Sequence, residues 1–485
     1  MVRPSLLKPA ALYVFTALML LVALGSKPLW GQEGRWGVIC REMIATGDYF
    51  HPVLLGESYD DKPLGSYWLM IGASRLFGGL SEWSLRLPSA LAGLLTIWCL
   101  TRLGTTLFGR ETGLLAGWIL GTMIFFVFWA RVSSADMLNV AAITGAVAWY
   151  FERRTRPGLV SQVVFCAILA VGALMKGLVA PVLTFIAVAP DLFSAGRWRS
   201  HLKWSLLPAA ATFLILYGLP FLLASSTGES QGLQMVFQEN VLRYFKAFDH
   251  REPWYFYLYM FPLYLLPWVA LLPAALLRVR NWKLLSPESR WPLWAAGLGF
   301  LFLQGSGSRR NYYLLPLLPF VALLLADWIR SRKEDDRRVR LADWLIVGMA
   351  VPLFAWFALV QPYLATQGGG WVFREDVRKA AERVAPWTSW DLLACSAPPD
   401  AVYYLSPSGR SGRRLGTDEL DAVAAHLKAN PKTIVVTYGR FQKTLEPLMP
   451  DAAVVLQKPM FPSWLKRFAP QTPPLVAFVP SGGTR

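Results

Sequence analysis

Long apolar runs alternate along the chain with short polar gaps. Runs near 10–29, 84–107, 112–130, 135–151, 159–175, 178–195, 203–224, 254–277, 291–304, 311–329 and 342–363 approach the length that crosses a bilayer as a helix. The pattern predicts about eleven transmembrane helices, and an odd number sets the two termini on opposite sides. The gaps are of two kinds. Those at 102–110, 152–156, 197–203, 278–290 and 330–340 are rich in arginine and lysine, whereas those at 33–82, 131–136, 176, 225–252 and 306–310 hold more of the acids and histidines that could do chemistry. Basic excess in short loops marks the cytoplasmic side, so the second set faces the exterior, together with the tail from about 361. The first run follows Arg3 and Lys8, and Gly31-Gln32-Glu33 is a poor cleavage site. It reads as a retained anchor with a cytoplasmic N-terminus.

Two stretches do not read as spans. Within the polar segment 31–83, residues 36–45 have helical spacing with Val38, Ile39, Met43 and Ile44 on one side, and 64–77 repeat the pattern with Tyr67, Trp68 and Met70. Such amphipathic helices are expected to lie along the outer interface. The tail holds short apolar runs of strand length at 401–405, 433–437, 452–456 and 475–479 and an amphipathic helical stretch at 417–429. The expected architecture is therefore an α-helical polytopic membrane domain over 1–363, with exterior amphipathic helices in its 31–83 loop, followed by a small soluble α/β domain over 364–485.

Composition agrees: 54% of the residues are hydrophobic, 22 are tryptophan and mean hydropathy is +0.38, which excludes an ordinary soluble domain. The net charge of +17 does not indicate nucleic acid, because many of the basic residues sit beside predicted spans and no nucleic-acid motif accompanies them. Cys99 and Cys166 fall inside predicted helices, leaving Cys40 and Cys395 as the pair open to a disulfide, with no metal-type spacing.

Candidate chemistry gathers in the exterior gaps. Asp60-Asp61-Lys62-Pro63 combines hard oxygen ligands for a divalent cation with an ammonium for a phosphate; as a solvated loop, the same residues simply start a helix at Pro63. Glu33 and Arg35 form an acid–base pair just past the first run. Arg131 and Asp136 sit at the ends of consecutive helices, where an ionisable group costs free energy unless paired or wet; a clamp between the helices is the structural alternative. Lys176 stands alone between two apolar runs, placed to snorkel or to meet an anion. His250 lies among acids and bases, placed for a metal or a proton. Arg243 lies in the preceding polar loop, and Arg309-Arg310 suit a phosphate or an interfacial anchor.

The order of these elements resembles a known family. Gln32-Glu33, Arg35, Arg41-Glu42-Met43 and Gly47-Asp48-Tyr49 are followed by Asp61-Lys62-Pro63 with Tyr67-Trp68. Asp136, Lys176-Gly177, His250-Arg251-Glu252-Pro253 with Tyr257, and the 309–316 segment come next. Over about 28–330 the chain is similar to the polyprenyl-phosphate-sugar-dependent glycosyltransferases of the GT-C fold, in particular the aminoarabinose lipid A transferase group related to protein O-mannosyltransferases. The resemblance implies a multi-pass protein of the bacterial inner membrane, with its active site and C-terminus facing the periplasm. It implies a sugar donor on a polyprenyl phosphate and, as acceptor, a glycolipid such as lipid A, a glycan or a protein, and it leaves open whether transfer inverts or retains. By resemblance Lys62, Arg243 and Arg309 hold the donor phosphate, with Lys176 and Arg131 as further candidates. Glu33 activates the acceptor with Asp136 in support, and Asp61 and His250 bind a divalent cation (zinc, magnesium or manganese). The chain departs from the family in having Gln32 where an acid is usual, Asp61 in place of glutamate and Arg309 in place of a lysine. A flippase or transporter of lipid-linked sugars, a protein O-mannosyltransferase-like enzyme and a noncatalytic scaffold are the alternatives.

Overall fold

A computed structural model of the chain describes residues 8–227, 237–246, 250–331 and 336–366, and beyond these 369–370, 374–375, 377–384, 387, 389–397, 399–406, 412–449, 453–457 and 475–478. They divide into two compact units. One comprises Met1–Val22, Asp60–Leu69 and Arg86–Trp356, the other Ala23–Tyr59, Met70–Leu85 and Phe357–Arg485.

Among the described residues five helices are long and apolar enough to cross a membrane: Glu82–Phe108, Leu159–Lys176, Leu206–Ser225, Asn311–Arg330 and Arg337–Ala365. Two further pairs pass together but are bent, Arg110–Gly121 with Ile124–Ala130 by 72° and Phe256–Tyr264 with Trp268–Leu284 by 105°, which makes up to seven. All eleven apolar runs carry helix, yet the full count of eleven spans does not follow. Pro9–Leu21 and Val179–Ser194 are shorter than a bilayer requires. Ala135–Arg153 is diluted by Asp136 and Asn139, and Pro287–Gln304 opens on a polar first turn. The chain is an integral membrane protein by its long apolar helices, several of which expose apolar side chains, Leu214 and Val351 among them.

Small residues let the central helices approach closely. A Cβ added at Gly172 would lie 2.7 Å from that of Ala180 and 2.8 Å from that of Ala142, so Ala135–Arg153, Leu159–Lys176 and Val179–Ser194 meet nearly backbone to backbone. Consecutive and joined by short turns, these three run antiparallel, and Leu206–Thr227 packs back on Leu159–Lys176.

In the other unit a five-stranded sheet has the order Gly412–Leu415, Asp391–Cys395, Thr433–Tyr438, Leu475–Phe478, Ala453–Gln457. The first three strands are parallel and the last two antiparallel to their neighbours. Thr433–Tyr438 and Leu475–Phe478 are buried along nearly their whole length, as central strands covered on both faces require. Residues 401–405, expected as a strand, belong to the helix Pro399–Leu405. The helix Glu33–Thr46 buries Trp36, Val38, Ile39 and Met43 and packs against Pro399–Leu405, with Arg41 donating to the Tyr403 carbonyl at 2.8 Å. Its apolar face is therefore met by protein rather than by a lipid interface, and Tyr67 and Met70 of Gly65–Leu76 are likewise buried. Cys40 and Cys395 are free thiols.

Candidate active site

The antiparallel helices bring distant polar residues to one end. Ser134 caps Ala135–Arg153, its hydroxyl accepting from the Asp136 amide at 3.3 Å, and so sets Asp136 in the first turn. Leu159–Lys176 ends at Gly177, whose φ of +85° suits glycine; a Cβ there would lie 2.5 Å from the Asn240 side-chain oxygen. Lys176, the last residue before that turn, pairs with the Asp136 carboxylate, and its ammonium sits 4.3 Å and 5.2 Å from the ring centres of Tyr313 and Tyr312. Both partners are largely buried, and the pair with its aromatic walls satisfies what either charge alone would not.

Lys62 reaches the same place by a second close approach. The Ser66 hydroxyl donates to the Met175 carbonyl at 3.0 Å, and a Cβ on Gly65 would fall 2.8 Å from the Leu174 carbonyl oxygen, so the start of Gly65–Leu76 rests on the end of Leu159–Lys176. There the Lys62 ammonium lies 3.4 Å from a carboxylate oxygen of Glu239 and 2.9 Å from its neighbour's carbonyl. The same Glu239 oxygen accepts from Arg243 one turn on, and the Arg243 Nε lies 3.4 Å from the Ser308 hydroxyl. Asn240 accepts the Leu178 amide at 2.7 Å and ties this segment to the turn after Lys176.

Asp61, Lys62, Lys176, Glu239, Arg243, Ser308 and Tyr313 line one pocket, floored by Tyr217, Phe302 and Leu303. Of the residues singled out in the sequence, Asp61, Lys62, Lys176 and Arg243 thus meet, with Asp136 behind Lys176. Others sit elsewhere. Arg131 is buried and donates to the carbonyls of Met19 and Val22 at 2.7 and 2.8 Å, an arrangement that clamps helices. Arg309 donates to the carbonyls of Glu252 and Gln304 at 2.8 and 3.1 Å, and the His250 Nε2 faces the Arg310 guanidinium at 2.5 Å. Glu33 lies in the other unit with its residue wholly buried and accepts the Trp30 amide at 3.2 Å. Sequence reasoning gave no role to Asn240, Ser308, Tyr312 and Tyr313, whose ordinary types carry no signal apart from their place within or beside the singled-out 309–316 segment and near Arg243.

The divalent cation implied by the resemblance finds a poor donor set. His250 already faces a guanidinium, and among the described residues no group of three histidine, cysteine or carboxylate side chains is placed to hold a metal.

Residues 61–223 match the family described as dolichyl-phosphate-mannose-protein mannosyltransferase. An undecaprenyl phosphate-alpha-4-amino-4-deoxy-L-arabinose arabinosyl transferase of Aeromonas salmonicida is 29% identical over 400 residues, covering 79% of this chain and 71% of that one. The corresponding transferase 1 of Sodalis glossinidius is 31% identical, over 67% of this chain and 59% of its own. In fold, the ArnT of Cupriavidus metallidurans, solved bound to undecaprenyl phosphate, superposes with a TM-score of 0.74 at 18% identity, covering 98% of this chain and 99% of that one. The oligosaccharyltransferase AglB of Archaeoglobus fulgidus follows with a TM-score of 0.52 at 13% identity over 89% and 69%. Fold and sequence likeness together make the chain ArnT-like, a glycosyltransferase with the GT-C fold that is similar to enzymes drawing sugars from polyprenyl phosphates.

Proposed function

We propose that the chain moves a sugar from a polyprenyl-phosphate donor to lipid A, or to another envelope glycolipid or glycan, on the periplasmic side of a bacterial inner membrane. The observation that carries this reading is the meeting of Lys62, Arg243 and Lys176 around one pocket at the end of apolar helices. In the transfer an acceptor oxygen bonds to the anomeric carbon, the bond from that carbon to the phosphate oxygen breaks, and the lipid phosphate leaves with the bonding pair. Negative charge grows on the phosphate. Glu239, held between Lys62 and Arg243, is a contact that an incoming phosphate competes for on both sides, and the released cations then face the developing charge. One preorganised donor of this kind typically contributes about 10²–10³ in rate.

A hydroxyl acceptor must lose a proton as it attacks, and among the carboxylates lining the pocket Asp61 is the exposed one. Asp136 is engaged by Lys176 and acts by positioning it. Glu33, buried in the other unit and accepting the Trp30 amide, is the weaker candidate for the base. A phosphate acceptor arrives ionised and needs no base, which suits a chain with Gln32 beside Glu33. No step is assigned to a divalent cation. The flippase alternative calls for charges near mid-membrane, whereas these cations gather at one end of the helices.

Mass spectrometry of lipid A, glycans and envelope proteins from a deletion strain beside its parent tests the proposal. The deletion removes a glycosylated species, and re-expression restores it while Lys62→Ala does not. An unchanged profile overturns the reading.

A further inference from the structure

The helices that build the reactive pocket have a second cavity at their other ends. Asn139, Lys176, Val179 and Tyr217 line the first pocket, whereas Tyr150, Gln162, Val188 and Leu206, from the opposite ends of the same four helices, line the second. This cavity measures about 470 Å³ and its walls are apolar, with Phe165, Leu169, Pro181 and Phe185 prominent. From Ser161 to Leu169 it follows its helix for about 12 Å, at roughly 1.5 Å per residue. That is most of one leaflet, whose hydrocarbon half is about 15 Å deep. An apolar void of this size is not a place for ordered water, which needs polar partners.

Its mouth is basic and aromatic. Arg153 and Trp198 line it, with the Arg153 guanidinium 4.8 Å from the Trp149 ring and that of Arg199 5.3 Å from Trp198. Asp191 engages Arg154 and Arg197, but among the described residues no carboxylate pairs with Arg153, Arg199 or Lys203, all of them exposed. Exposed cations and tryptophans at the rim of an apolar slot are the features that a lipid headgroup and its chain would meet together.

We infer that this cavity takes one acyl chain of an anionic phospholipid whose phosphate meets Arg153, Arg199 and Lys203. The inference goes beyond the transferase reading and does not depend on it. The test places the purified full chain in nanodiscs with phosphatidylglycerol that carries a photoactivatable diazirine in mid-chain. Labelled peptides are expected within 149–206, and unlabelled phosphatidylglycerol should compete better than phosphatidylcholine. Each basic residue beside an anionic headgroup contributes about fivefold in affinity, so reversing all three charges (R153E, R199E and K203E) should weaken binding on the order of a hundredfold. Cys166→Trp, which fills the slot and leaves the charges intact, should also reduce labelling, and thermal unfolding of both variants checks that they are folded. Labelling that ignores headgroup, charge reversal and the filled slot alike would reveal only annular lipid and overturn the inference.

Discussion

At one end of the central helices Lys62, Lys176 and Arg243 are held by Glu239 and Asp136 in a half-buried pocket; at the other, Arg153, Arg199 and Lys203 stand exposed around an apolar slot. Both ends are cationic, but only the first arranges its cations with carboxylates, serine and tyrosine. Burial is what separates them. A cation out of water needs a partner of fixed geometry, and a partner that a substrate can displace converts a structural pair into chemistry. Exposed cations stay in water and need no such partner.

Breaking the pocket pair should have the largest effect. Lys176→Ala leaves Asp136 buried without its cation, a loss of about 3–5 kcal/mol when one partner of a buried pair is removed, and transfer should be abolished. The double variant Lys176→Met with Asp136→Asn should recover most of the thermal stability and none of the activity. Recovery of activity would reduce the pair to scaffolding.

Arg243→Ala should lower transfer by about 10²–10³ while leaving thermal unfolding nearly unchanged. Arg243→Lys should restore only part of it, because an ammonium lacks the planar fork that meets two phosphate oxygens; kcat and KM for the donor separate the two variants. Next comes Gly177→Ala, which puts a side chain at φ +85° against Asn240 and should destabilise the fold by roughly 1–2 kcal/mol, read as a lower Tm. The smallest effect lies in the second unit. Burial pushes the Cys395 thiol up to about 12 and raises that of Cys40, so folded protein should react slowly with maleimide and run identically with and without reductant.

Much of this contrast was legible in the chain. Apolar runs located the helices, and the sorting of basic and acidic gaps separated the two ends before any contact was known. Asp61 and Lys62 stood out as carboxylates beside an ammonium and Arg243 through the family resemblance, while Lys176 was recognisable because a charge beside an apolar run needs a reason. Arg131 and Arg309 met the same criterion and satisfy it on main-chain carbonyls, an outcome that depends on which backbone happens to lie alongside. Ala401–Leu405 was misread because a five-residue apolar run fits a strand as well as a buried helical turn, and its burial beside Glu33–Thr46 comes from sequence far away. Tyr313 and Asn240 were invisible for a related reason: their roles exist only once Lys176 and Leu178 are beside them.

The central claim is that the pocket's cations grip a lipid phosphate, and binding of undecaprenyl phosphate compared with undecaprenol to the purified protein tests it most directly. The account predicts that the phosphate form binds far more tightly to the wild type and that the preference collapses in Lys62→Ala with Arg243→Ala. A preference that survives in the double variant would contradict it.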